Sequence, residues 1–185
     1  MDRAQREQAE RELARASAGR VRQYSTYEFG RARDERCRSI ILPEERARSL
    51  LPELRETLPS GCVAFIGTTQ WLGDEQHEGA ELVVGPGASQ LDILRLARSD
   101  ATNYDMDTED LVRKLREYDH NYGIDVFHAE TDTIEFTLLN TPDDLSGFAA
   151  DLYEFCPDVV DQGVGSVAAL EGSIEVLGQV YLWWD

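Results

Sequence analysis

The stretch DTEDLVRKLREYDHNYGIDVFHAETDTIEFTLL, residues 107–139, carries both of the periodicities that decide the fold. Its first half repeats apolar residues at Leu111, Leu115, Tyr118 and Tyr122, the i, i+4, i+7, i+11 spacing of one helical face. Asp107 is placed to cap that helix and Gly123 to end it. The second half alternates instead: Ile134, Phe136 and Leu138 fall on one side, and Thr133, Glu135 and Thr137 on the other. Residues 124–129 and 133–139 therefore read as a hairpin turning around Glu130, Thr131 and Asp132. A helix running directly into a hairpin predicts an α+β fold, with helices packed on an antiparallel or mixed sheet.

Toward the C-terminus, Thr141 offers a cap, Pro142 a first helical position, and Asp143 and Asp144 two acids for the positive end of the helix dipole. The helix they predict runs through Leu145, Phe148, Ala149, Leu152 and Tyr153 and ends near Cys156, because Pro157 follows. Residues 158–165 read as a loop. Ser166 then caps a short helix through Val167, Leu170 and Ile174, Gly178 stops it, and residues 180–184 form the last strand.

Toward the N-terminus, residues 81–84 read as a strand. Ser89, Gln90, Leu91 and Asp92 have capping-box spacing for a helix through Ile93, Leu94, Leu96 and Ala97. Residues 63–67 read as a buried strand and residues 72–79 as a polar loop. Pro43, Glu44 and Glu45 open a helix through Leu50, Leu51 and Leu54, behind an Arg-rich stretch at 31–38 and a short strand at 40–42. In residues 2–20 Leu13 is the one large aliphatic, so a helix there has little apolar stripe and reads as a solvated arm. These elements divide the chain into a charged helical or flexible arm at 1–35, an α/β segment at 36–79 packed on the core, and a domain at 80–185. With the short helix counted as an insertion, the order within 80–185 is βαββαβ, that of a ferredoxin-like sandwich.

At 185 residues the chain suffices for one substantial core with an appended arm. It has no apolar run of membrane-spanning length, and residues 1–20 lack the apolar centre of a secretory signal, so the expected setting is cytoplasmic, without membrane contact. Cys37, Cys62 and Cys156 are odd in number and widely spaced. Reduced thiols are expected, with neither a disulfide framework nor a zinc site.

Charge is the strongest compositional signal. Of the 18 basic and 36 acidic residues, 13 and 11 lie in residues 1–60, a balance of +2, and 5 and 25 lie in residues 61–185, a balance of −20. No Lys or Arg follows Arg116. Such a surface repels phosphate backbones, which argues against nucleic-acid binding. Solubility in a salt-rich cytoplasm and an acidic face for a basic partner protein both account for it.

Rare residue types gather near the end, in Phe155-Cys156-Pro157-Asp158, Asp161-Gln162-Gly163 and Leu182-Trp183-Trp184-Asp185. A thiol at a helix C-terminus meets the negative end of the dipole, which raises its pKa, so Cys156 reads as packing rather than as a nucleophile. Asp158, Asp161 and Gln162 form a carboxylate-amide set able to bind a cation or a hydroxyl-rich ligand, or to hold their own backbone through Asx-turns. Strand alternation sends Trp183 and Trp184 to opposite faces, so at least one belongs to the core. Asp185 adds a second carboxylate at the tip. The Gly85-Pro86-Gly87-Ala88-Ser89 turn lacks both the lysine and the spacing of a phosphate loop, and His77, His120 and His128 form no metal-binding pattern.

These C-terminal runs, together with Gln90-Leu91-Asp92-Ile93-Leu94-Arg95, Asn103-Tyr104-Asp105, Tyr118-Asp119 and Tyr122-Gly123, resemble the bacterial and archaeal family called domain of unknown function 4253, over roughly residues 80–185. The resemblance implies a domain boundary and a common core, and it carries no catalytic assignment. The expected role is a non-enzymatic protein-interaction module, immunity-type or inhibitory, that engages a basic partner. The alternative is a small-molecule-binding or hydrolytic enzyme. The candidate cluster is Asp158, Asp161, Gln162, Trp183, Trp184, Asp185, Asn103 and Asp105, with no metal and no cofactor.

Overall fold

The computed structural model describes residues 1–16, 20–25, 33–69, 71–72, 75–76 and 79–185. His77, parts of the expected 72–79 loop and 31–38 stretch, and residues 17–19 and 26–30 of the arm lie outside the described residues. The strands are β1 (Arg22–Ser25), β2 (Arg33–Leu42), β3 (Cys62–Ile66), β4 (Trp71–Leu72), β5 (Glu75–Gln76), β6 (Ala80–Pro86), β7 (Ile124–Ala129), β8 (Thr133–Leu138) and β9 (Gln179–Trp183). The helices are α1 (Arg3–Ala16), α2 (Glu44–Thr57), α3 (Asp92–Ala97), α4 (Thr108–Tyr122), α5 (Leu145–Phe155) and α6 (Val167–Leu177). Seven strands form one sheet in the order β1-β2-β6-β3-β7-β8-β9, and β4 pairs with β5 separately.

The sheet is mixed. β3 runs parallel to β7, while the other neighbouring pairs are antiparallel. The class is α+β, but the interleaved ferredoxin-like order is not the one adopted. In that order the last strand would return beside β6; here β9 pairs with β8. The reason lies outside the 80–185 stretch: β2 and β3 occupy the two edges of β6, which leaves no slot for β9 there.

Helices cover both faces of the first four strands. α1 and α2 bury Ala9, Leu13, Leu50, Leu51 and Leu54 against Ile40, Ala64, Ile66, Leu82 and Val84. On the opposite face α3 to α6 bury a larger core that includes Leu94, Leu111, Leu115, Phe148 and Leu170 against Phe65, Val83, Val126, Phe136 and Leu182. With both faces covered, β3 and β6 carry apolar residues at successive positions. Over β8 and β9 the α2 side is instead polar, which is why Thr133, Glu135 and Thr137 alternate with Ile134 and Phe136.

Local capping explains most boundaries. The Asp107 carboxylate accepts from the N–H groups of Glu109 and Asp110, and Asp110 accepts from the Asp107 N–H, a complete capping box for α4. α5 starts later than Thr141 and Pro142 suggest, because the Asp144 carboxylate accepts from the Gly147 N–H at 2.9 Å and takes over as cap. Residues 159–164 form a wide π-helical turn rather than a loop, closed by the Gly165 N–H donating to the Val160 carbonyl at 2.8 Å. Gly165 sits at φ +83°, a conformation that favours glycine.

Candidate functional site

The π-helical turn and the end of β9 meet at Asp158. The residue is 4% exposed. One carboxylate oxygen accepts from the Gln162 amide at 2.9 Å and the other from the Asp185 backbone N–H at 3.0 Å. Burial pushes the Asp158 carboxyl up, but these two donors and the nearby Tyr104 hydroxyl outweigh it and hold the group below the usual carboxylate range. The same contact pushes Tyr104 up to about 12, so its hydroxyl stays a donor.

Around this buried carboxylate the nominated residues divide. Asp161 and Gln162 are exposed on the turn, and Asp161 accepts from the Tyr153 hydroxyl at 3.1 Å. Asn103 and Asp105 are exposed on either side of Tyr104, in a short 3₁₀ turn after which Asp105 takes φ +55°. Trp184 is buried, edge-to-face with Phe155 at 5.5 Å, and its indole N–H donates to the Phe155 carbonyl at 3.4 Å. Trp183 is half-buried, and its carbonyl accepts from the Cys156 thiol at 3.1 Å. Cys156 is fully buried, and burial pushes its pKa up to about 11. Asp158, Gln162 and Asp185 thus come together with Tyr104, whereas Trp184 belongs to packing. The surface they present carries Tyr104 and exposed acids, and Val164 of the π-helical turn is exposed too.

Two polar arrangements have no counterpart in the sequence reading. The first centres on His128, which is buried, with Nδ1 2.6 Å from Glu135 and Nε2 3.0 Å from Glu130. Glu135 also accepts from Arg48 at 2.9 Å, and Glu130 from the Thr69 N–H and hydroxyl. Burial alone lowers a histidine, but the two carboxylates raise His128 to about 9, so it is an imidazolium at neutral pH. Both ring nitrogens are occupied, which suits a buried ion network rather than proton transfer. A β-bulge between Val126 and His128 sets the ring toward both acids, a displacement that residue alternation does not reveal.

The second is the seam between β3 and β7, whose ladder is the single pair Ile66 and His128. From one face Arg55 bridges it, donating to the Ala64 and Val126 carbonyls at 2.9 and 2.6 Å and pairing with Asp125. From the other face Gln90 accepts from the Val126 N–H and donates to the Ile124 carbonyl, each at 2.7 Å. Cavities of about 640 and 380 Å³ flank the seam, and Arg55 and Asp125 line both. Among the described residues no three His, Cys, Asp or Glu side chains are gathered so as to hold a metal ion. Among the same residues no helix is long and apolar enough to cross a membrane.

Fold and site together define an α+β protein with a seven-stranded mixed sheet, whose last strand is fastened by a buried carboxylate. The family model described as domain of unknown function (DUF4253) matches residues 81–185, and the chain belongs to that family. No curated protein and no solved structure matches it.

Proposed function

We propose that this protein is a non-enzymatic interaction module that binds a basic segment of a partner protein at the patch formed by Tyr104, Tyr153, Asp161, Gln162 and Asp185. One observation carries the reading: after Arg116 the chain has 15 acids and no Lys or Arg, and exposed Tyr104, half-buried Tyr153 and the exposed carboxylates of Asp161 and Asp185 share this surface. Carboxylates beside tyrosine rings suit a guanidinium or ammonium through ion pairing and cation–π attraction. The hydrolytic alternative needs a carboxylate free to exchange a proton, and both Asp158 oxygens are already committed, one to the Gln162 amide and one to the Asp185 N–H. An acidic protein suited to a cytoplasmic setting, of immunity or inhibitor type, fits the same reading.

The test is affinity capture at 0.15 M salt with the full chain and with the combined variant Tyr104→Ser, Asp161→Asn. Asp158 is left intact so that the fastening of β9 persists. A stoichiometric basic partner retained by the natural chain and lost by the variant supports the proposal. A chain that retains no stoichiometric partner, or a variant that retains it equally, overturns it.

A further inference from the structure

Among the described residues β9 is the last strand of the sheet order and pairs on one side only, with β8. Its hydrogen-bonding alternation is set at both ends: the Leu138 N–H donates to the Gly178 carbonyl at 2.8 Å, and the Trp184 N–H to the Asp132 carbonyl at 3.0 Å. Residues 178, 180, 182 and 184 therefore turn their main-chain groups toward β8, and residues 179, 181, 183 and 185 turn theirs outward. The outward groups at the far end are covered by the chain itself. Asp158 takes the Asp185 N–H and the Cys156 thiol takes the Trp183 carbonyl. Among the described residues no hydrogen bond reaches the outward N–H or C=O of Gln179 or Tyr181, and both residues are exposed.

Exposed edges are normally blunted by lysine, proline or a bulge. The strand Gln179–Trp183 has none of these, and its register with β8 runs unbroken from Thr137 opposite Gln179 to Thr133 opposite Trp183. An uncovered, β-prone edge calls for an occupant, and charge selects it. Tyr181 stands opposite Glu135, which shares His128 with Glu130; the acids that His128 does not hold are Asp132, which adds to burial in raising the Tyr181 hydroxyl, and Glu175 and Asp185 near the two ends of the strand. A second copy would set this acidic edge against itself, each chain carrying a formal charge of −18. A basic strand meets no such repulsion.

We infer that the outer edge of β9 accepts an extended basic segment of the partner as an added strand, held by the main chain of Gln179 and Tyr181. The inference rests on the interaction reading above and gives it a binding mode. Main-chain pairing supplies the affinity, and alternate side chains of the guest supply the charge. Because Cys156 and Asp158 close the edge at Trp183, the guest strand ends beside Asp185, Asp161 and Tyr104, where its last basic side chain meets the acidic patch.

The experiment uses the full chain, followed by amide NMR in 50 mM salt, and a capped peptide of alternating valine with arginine or lysine as probe. A second probe is the same peptide N-methylated on alternate residues, which keeps the charge and removes the strand-pairing donors. The expected result is that the Gln179 and Tyr181 amides shift and exchange at least tenfold more slowly with the first probe. The methylated probe should bind at least tenfold more weakly. Tyr181→Pro, which removes an outward N–H and no β8 bond, should weaken the first probe similarly, while Tyr181→Phe should not. Equal binding of the two probes overturns strand addition and leaves the acidic-module reading standing. Binding of neither overturns both. Shifts at Gln179 and Tyr181 that depend on protein concentration without peptide assign the edge to a second copy and overturn the inference.

Discussion

Replacing Asp158 with alanine removes the acceptor of the Gln162 amide and of the Asp185 backbone N–H that holds β9. Hydrogen bonds to a charged group are each worth about 1.5 to 3 kcal/mol, but Gln162 is exposed enough to regain water. The expected loss is about 2 kcal/mol, read as a lower urea midpoint with an unchanged slope. Because the folded pKa lies below the unfolded one, this contribution is full above about pH 3.9 and is lost as pH falls through the folded value. The gap between the natural chain and Asp158→Asn should therefore close in acid. His128 has the opposite sign. Its folded pKa of about 9 exceeds the unfolded value of about 6.5, so its stabilisation is full below about pH 6.5 and is lost as pH rises through about 9. Denaturation at pH 6 and pH 9.5 should show the natural chain weakening by about 3 kcal/mol, and His128→Gln should show little pH dependence over that window. A natural chain equally stable at both would mean that His128 is neutral in the fold. At pH 7, His128→Ala takes the cation from Glu130 while Glu135 keeps Arg48, and should cost about 3 kcal/mol.

Between elements, the weakest joint is the seam of β3 and β7, where side chains from α2 and from the turn before α3 stand in for ladder hydrogen bonds. Gln90→Ala leaves the Val126 N–H and the Ile124 carbonyl without these partners at a half-buried place. A cost of about 1 to 2 kcal/mol is expected, with Val126 exchanging its amide about tenfold faster than the amides of β8 change. If Val126 stays as protected as before, the seam does not depend on Gln90. This assigns a structural task to the Gln90-Leu91-Asp92 run, in which Asp92 also accepts from the Ala88 and Ser89 N–H groups. How much could be read in advance follows from the range of each signal. α4, the β7–β8 hairpin, α6 and β9 were legible because caps and periodicity are local. Sheet order was not, since β3 and β6 are apolar on both faces and carry no mark of which strand lies beside them. Asp158, Gln162 and Asp185 were legible as unusual residues near one another in sequence. Tyr104, between Asn103 and Asp105, carries no local mark of its role, because its contact with Asp158 crosses 54 positions. The His128 network leaves no local pattern in the sequence, because Arg48 and Thr69 reach it from other elements and a bulge resets the alternation.

Across the whole molecule, the basic N-terminal part supplies counter-charge to the acidic remainder: Arg48 reaches Glu135 and Arg55 reaches Asp125 across the sheet face. The 15 acids after Arg116 outnumber the cations that reach them, so self-repulsion competes with local ion pairing. Exposed pairs are each worth roughly 0 to 1 kcal/mol and weaken with salt, whereas repulsion summed over many like charges acts at longer range and is screened first. Raising salt from 0.02 to 0.5 M should therefore raise the melting temperature, by about 2 to 4 °C for each kcal/mol of repulsion removed in a chain of this size. Binding of a basic segment draws on the same field and must change in the opposite direction, weakening steadily over that range. The two responses separate the origins of the charge. A chain that gains stability with salt and also binds a basic strand at low salt carries its acids for a partner. A chain that gains stability and binds none carries them for a salt-rich surrounding. A melting temperature that falls with salt would show instead that Arg48, Arg55 and their partners outweigh the repulsion, and the −18 charge would then be a minor term in folding.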